Sequence, residues 1–392
     1  MNRVEEWVLQ NRSQIEKGVE IIGQSCEVLA GTVGQLHPIL EAVFVAASEI
    51  LSNPDGQEAR YLAEQFGKVN QKLEGIRAEI DQISREIQRT SMNKQHFDLE
   101  AHMLSQYDTF QAFVNSKPEF RKKKMEKFLK QYENTEGDLN IDALYNAVIG
   151  ENLSGDPLLV TVVATEQKSR RPVEDFCARL KKLFVVGIIA VMGYTSLKDG
   201  AIGEAMVKKW QERMEIVETR MKAAVDDCIQ NFATQAKIDI ENELLQNPAS
   251  VDPEFTKSLL DILAKKYDWV SWSVQVFSHN GWFFWNWLAG KKCYGTSGNN
   301  CFDILTKNNM RVMVSFSAAP KPINKAQIQG QIEKQKIKGD MVDAALLLGN
   351  SLPSCVVNAV SQYKKVEESN NFQVDCFYSV QYKKAYLCIH SD

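Results

Sequence analysis

From Leu62 to Ile87 the apolar positions are Leu62, Phe66, Val69, Leu73, Ile76, Ile80, Ile83 and Ile87, spaced alternately by four and three residues among mostly Glu, Gln, Lys, Arg and Asp. That spacing holds every apolar side chain on one narrow stripe, so it predicts a long helix packed along a single seam. Val19, Ile22, Cys26, Leu29, Val33, Leu36, Leu40 and Val43 keep the same rhythm, with Pro38 interrupting it, and a kink or restart is expected there. Val207, Trp210, Met214, Val217, Met221, Ala224 and Cys228 repeat it, continuing by fours through Phe232, Ala236, Ile240 and Leu244. Each stripe has to be buried against another helix, which predicts an antiparallel bundle.

Between these stripes, Leu99, Met103, Tyr107, Phe110 and Val114 share one face of a predicted helix over 97–116, which ends at Lys117-Pro118. A basic helix follows. The segment from Arg171 places Pro172 in a first helical turn, with Glu174 and Asp175 at the positive end of the helix dipole, and closes near Gly200. Inside it lies KKLFVVGIIAVMGY, residues 181–194. Leu183, Phe184, Val185, Val186, Ile188, Ile189, Val191 and Met192 make this run apolar on every side, and Gly187 and Gly193 within it permit close helix packing if the helix is the enclosed centre of a bundle. A helix apolar all round belongs in a large core or in a membrane, and the pattern leaves both open. Residues 183–194 rise about 18 Å as a helix, short of the roughly 30 Å hydrocarbon core, so a resting single span is not expected.

Past residue 248 the period becomes two. Val270, Trp272, Val274 and Val276 alternate with Trp269, Ser271, Ser273 and Gln275, which predicts a half-buried strand; 311–316, 372–380 and 385–390 read similarly. One helix over 323–349 lies among them. The fold class is mainly α: an elongated antiparallel helical bundle with long coiled-coil-like helices over 1–247, then a smaller α+β domain with a mainly antiparallel sheet over 248–392.

Composition and charge refine this picture in a few places. The chain has 392 residues, enough for two cores, and 24% of them are charged. The acidic, amphipathic opening MNRVEEWVLQ contains no apolar signal region, so a cytoplasmic location, peripheral at membranes, is expected. Eight cysteines without a CxxC pair read as reduced thiols, and no disulfide framework or metal site is expected. Residues 1–250 carry 30 Lys and Arg against 38 Asp and Glu, and residues 251–392 carry 16 against 12. The second half is too weakly basic to point to nucleic acid.

The chain carries no catalytic or cofactor motif: no phosphate-binding glycine loop, HExxH or GxSxG occurs, and a non-enzymatic protein without cofactor is expected. Asp138, Asn140 and Asp142 resemble the start of a calcium loop, but Ala143 and Ile149 stand where its glycine and bidentate glutamate belong, and a helix-capping turn reads better. Arg121, Lys122, Lys123 and Lys124, with Lys117, Lys127 and Lys130, are a solvated helix face, an attraction for anionic lipid or a nuclear address. Trp282, Phe283, Phe284, Trp285 and Trp287, close to Trp269 and Trp272, suit either a small core or a membrane or partner contact.

The wording of several stretches is more specific than their period. WVLQNRSQIEKGVEIIG, IQRTSMNKQHFD, VATEQKSRRPVEDFCARLKKLFVVGIIAVMGY and VKKWQERMEIVETRMKAAVDDC resemble the rapunzel proteins of bony fishes, a group in turn distantly similar to cephalotoxin-like proteins. The resemblance implies a helical region comparable with pore-forming toxins that hide an apolar helix inside a bundle, and it brings no catalytic residues. Two functions are therefore expected. One is a membrane-interacting protein whose 183–194 helix inserts on activation or oligomerisation, with anionic lipid as partner. The other is a helical scaffold that binds a protein partner or its own copies.

Overall fold

The computed structural model describes residues 3–21, 29–34, 36, 41, 57–87, 94–150, 157–199, 203–279, 292–335, 337, 340–361, 364–383 and 385–392. They divide into two compact units, Met1–Gln230 and Asn231–Asp392.

The first unit is helical. Its helices are α1 (Arg3–Ile21), α2 (Gln57–Ile87), α3 (Lys94–Val114), α4 (Pro118–Asn134), α5 (Gly137–Ile149), α6 (Leu158–Thr165), α7 (Arg170–Asp199) and α8 (Glu204–Gln230), with a further helical stretch at 29–34. The expected seams are the buried ones: Val69, Leu73, Ile76 and Ile80 on α2, Met103, Tyr107, Phe110 and Val114 on α3, and Trp210, Met214, Val217 and Met221 on α8. Val19, Leu29, Val33 and Leu36 join the same core. The side chains of Leu62, Phe66, Ile83 and Ile87, and residues Ile22, Cys26, Pro38, Leu40 and Val43, lie outside what is described. α7 is packed by α2, α3, α5 and α8, which makes it the central helix of the unit.

Asp138, Asn140 and Asp142 lie within α5, and each serves a protein contact. Tyr132 Oη donates to Asp138 at 2.7 Å, Asn140 Nδ2 donates to the Thr135 carbonyl at 2.5 Å, and Asp142 pairs with Arg213. The capping turn expected ahead of Ile141 is instead part of the helix, which already begins at Gly137 and whose N-cap, Glu136, makes no side-chain cap bond.

The second unit begins earlier than residue 248. α9 (Phe232–Gln246) continues the stripe of α8 in sequence, but Phe232, Ala236 and Ile240 enter the core formed with α10 (Pro253–Lys266) and a sheet. Four-residue spacing specifies a helical stripe and says nothing about which core it enters. The strands are β1 (Ser271–Ser278), β2 (Tyr294–Ser297), β3 (Cys301–Leu305), β4 (Met310–Ser317), β5 (Cys355–Ser361), β6 (Val366–Asn370), β7 (Phe377–Tyr382) and β8 (Ala385–Ser391). They form two antiparallel sheets, ordered β3-β4-β1-β6 and β2-β5-β8-β7.

The expected helix over 323–349 is two, α11 (Lys325–Lys334) and α12 (Met341–Ser351). Asn324 caps the first by accepting from Gln327 N at 3.0 Å. Asp340 caps the second by accepting from Val342 N at 2.9 Å and Asp343 N at 3.2 Å. α10 covers the outer face of the first sheet and α12 that of the second, while Phe277, Met313 and Val360 meet between the sheets. The half-buried strand expected at 270–276 is thus buried on both faces, because a second sheet covers Ser273 and Gln275. Trp272 is fully buried in the core with α9 and α10, and Trp269 is half-buried beside it. Trp282, Phe283, Phe284, Trp285 and Trp287 lie outside the described residues.

Candidate functional site

Leu183, Phe184, Val185, Val186, Ile188, Ile189, Val191 and Met192 are all buried, so no side of α7 faces water over this stretch. No helix among the described residues is long and apolar enough to cross a membrane. The two glycines fit neighbouring side chains closely. A Cβ at Gly187 would come within 2.5 Å of Met103 Cε and 2.9 Å of Ile141 Cδ1, and one at Gly193 within 2.5 Å of Phe110 Cε2. Each glycine is a notch filled by a side chain of α3 or α5, as close helix packing requires.

Charge takes over at both ends of the run. Arg179 pairs with Glu100 of α3 almost out of solvent, their side chains 6% and 12% exposed. Lys182 pairs with Glu79 of α2. At the other end Tyr194 Oη and Lys198 Nζ both donate to Glu133 of α4 at 2.8 Å, and the Tyr194 ring stacks on Tyr132 with centroids 4.2 Å apart. Hydrogen bonds from Lys198 and then Tyr194 hold the Glu133 carboxyl below its usual range. That tie is present at neutral pH and is lost only as the pH falls through the lowered value.

Beside the first half of α7 a cleft of about 740 Å³ is bordered by Lys72, Glu79, Lys182 and Glu218, with Cys177 against it. Its polar groups are engaged: Lys72 donates to the Glu20 carbonyl at 2.7 Å, and Glu218 accepts from Leu29 N at 2.7 Å. Burial pushes the Cys177 thiol up to about 12, which leaves it a protonated thiol at neutral pH.

A second polar cluster, between the two sheets, is one that sequence reasoning missed. His390 Nε2 lies 2.8 Å from Ser315 Oγ, Asn358 Nδ2 donates to the same oxygen at 3.0 Å, and His390 Nδ1 lies 2.7 Å from the Ser391 carbonyl. The carbonyl can only accept, so the proton sits on Nδ1 and Ser315 donates to Nε2. This is the hydrogen-bond order of an activated hydroxyl, but Ser315 and His390 are both 0% exposed. Strand alternation was the available signal, since Cys388 and His390 share a face of β8.

The basic run does not form one patch. Arg121 is half-buried and donates from Nη2 to the Ser116 carbonyl at 3.2 Å, while Lys122, Lys123 and Lys124 are exposed.

Comparison with known proteins adds kinship to this geometry. A family model described as the cephalotoxin-like middle helical domain matches residues 53–250, a span that includes α9 as well as α2 to α8. Protein rapunzel of Danio rerio is 26% identical over 216 residues, covering 55% of this chain and 95% of that protein. No solved structure matches the chain.

Proposed function

The chain belongs to the family defined by the cephalotoxin-like middle helical domain, and from that premise we propose that it is a non-enzymatic membrane-interacting protein whose apolar run at 183–194 leaves the bundle on activation or oligomerisation. The observation that supports this reading is the manner in which α7 is held. Its 183–193 stretch is buried on every side, yet polar ties to Glu100, Glu79 and Glu133 fasten the helix on either side of that stretch. The Lys198–Glu133 pair is exposed and the Lys182–Glu79 pair partly so, and such pairs contribute little and are weakened by competing charge, such as lipid headgroups; the buried Arg179–Glu100 pair is the tie that release has to break. The run is too short to span a bilayer alone. In this reading it enters shallowly or as several copies together, with Lys181, Lys182 and Lys198 staying at the headgroups.

The test joins α7 to α4 through Glu133→Cys and Lys198→Cys, both exposed positions, with a cleavable bismaleimide. Dye release from anionic vesicles is expected from the unlinked protein, absent from the linked one and restored by cleavage. Release indifferent to the link, or none from the unlinked protein at any lipid composition, would sink the proposal. The filled notches at Gly187 and Gly193 favour the alternative, a scaffold that binds protein partners with α7 permanently enclosed. That reading expects no release.

A further inference from the structure

Arg121-Lys122-Lys123-Lys124 is contiguous in sequence, but a helix turns about 100° per residue and sends its members to different sides. Arg121 points toward the core, and burial lowers its pKa. Lys122 falls beside the edge that carries Glu119, Glu126 and Glu133, which recur every seven residues. The remaining arc, about 120° wide, carries Lys123, Lys124, Lys127 and Lys130, all exposed, and no carboxylate of this helix. Phe120 lies among them and is 54% exposed. Among the described residues none of these four lysines is tied into an ion pair.

We propose that this face of α4 is a docking surface for an anionic bilayer. The four lysines meet the headgroup charge, and the Phe120 ring reaches the boundary between headgroups and acyl chains. A solvated face needs neither the segregation of carboxylates to one edge nor a large aromatic ring at the middle of the basic arc. The inference rests on the membrane reading for its partner, but it requires no movement of α7.

The full chain is sedimented with phosphatidylcholine vesicles with and without phosphatidylserine, and dye release is read in the same samples. Binding is expected to need phosphatidylserine and to weaken with salt. Each lysine of the arc is worth about fivefold in partitioning, so Lys123→Gln with Lys127→Gln lowers it about 25-fold. Phe120→Ala also lowers it, whereas Lys122→Gln leaves it nearly unchanged. An equal loss from Lys122→Gln, equal binding to neutral vesicles, or retention on a polyanion such as nucleic acid without vesicle binding overturns the proposal. Binding without leakage keeps the docking surface and removes the α7 reading. Wild-type leakage from the Lys123→Gln, Lys127→Gln protein does the reverse.

Discussion

Replacing either α7 glycine with alanine adds one carbon to the middle of the same helix, so intrinsic propensity favours both changes equally, by about 0.8–1 kcal/mol. Their surroundings separate them. At Gly187 the new carbon meets Met103 Cε at 2.5 Å and Ile141 Cδ1 at 2.9 Å, the free ends of chains that yield by rotation. At Gly193 it meets Phe110 Cε2 at 2.5 Å and Cδ2 and Cζ at 3.0 Å. That ring is boxed in by Phe128 at 5.2 Å and Phe113 at 6.2 Å between centroids.

Overpacking a well-filled core costs about 1–3 kcal/mol. Net of propensity, Gly193→Ala is expected to lose about 1 kcal/mol, with about 2 as the upper end. Gly187→Ala should stay within about 0.5 kcal/mol of the parent, because its added carbon displaces only flexible termini. Urea unfolding followed by far-ultraviolet circular dichroism reads the difference as a lower midpoint at unchanged slope. Phe110→Leu should cost less in the Gly193→Ala background than alone, since it vacates the space the new methyl needs. The reasoning fails if Gly193→Ala is as stable as the parent, or if Gly187→Ala is the worse of the two.

Two further predictions follow from buried charge. Burial lowers the His390 pKa to about 4 against 6.5 for the free side chain, with Asp392 and the Ser391 carbonyl opposing the shift. The unfolded chain takes up this proton first as the pH falls, so stability drops between about 6.5 and 4, by about 3 kcal/mol in all, and levels off below. His390→Gln should flatten that part of a pH–Tm profile, and an imidazole that titrates near 6.5 in the folded protein by NMR would refute it. Glu100→Gln leaves the Arg179 charge buried and unpaired and should cost about 3–5 kcal/mol. Glu100→Met together with Arg179→Met should recover most of that loss, and additive losses in denaturant unfolding would contradict the pairing.

The helical half was legible because its period carries its packing: the α2, α3 and α8 stripes required nothing beyond their spacing. Close packing at Gly187 and Gly193 was legible only as one of two readings, because the partners Met103, Ile141 and Phe110 come from distant sequence. In the second half, alternation located β1 but not its environment. Ser273 and Gln275 have the polarity of a solvent face, and only the presence of a second sheet encloses them. The placement of α9 was hidden for a related reason, since its stripe keeps step with α8 while entering another core. For the basic run, adjacency in sequence was the misleading quantity. Once wound into α4, near neighbours such as Arg121 and Lys123 are about 160° apart around the helix, and the exposed arc instead gathers residues three and four apart.

Because Phe110 occupies the notch at Gly193, and Met103 and Ile141 the one at Gly187, the register of α7 against its neighbours is indexed rather than continuous. Sliding α7 by one turn would bring Ile189 or Leu197 against Phe110, where no space exists for a branched side chain. A slide that brings Ile189 or Leu197 to this notch is therefore opposed, so departure of α7 meets a threshold at Gly193, and a variant that eases that notch would lower it without altering the surface.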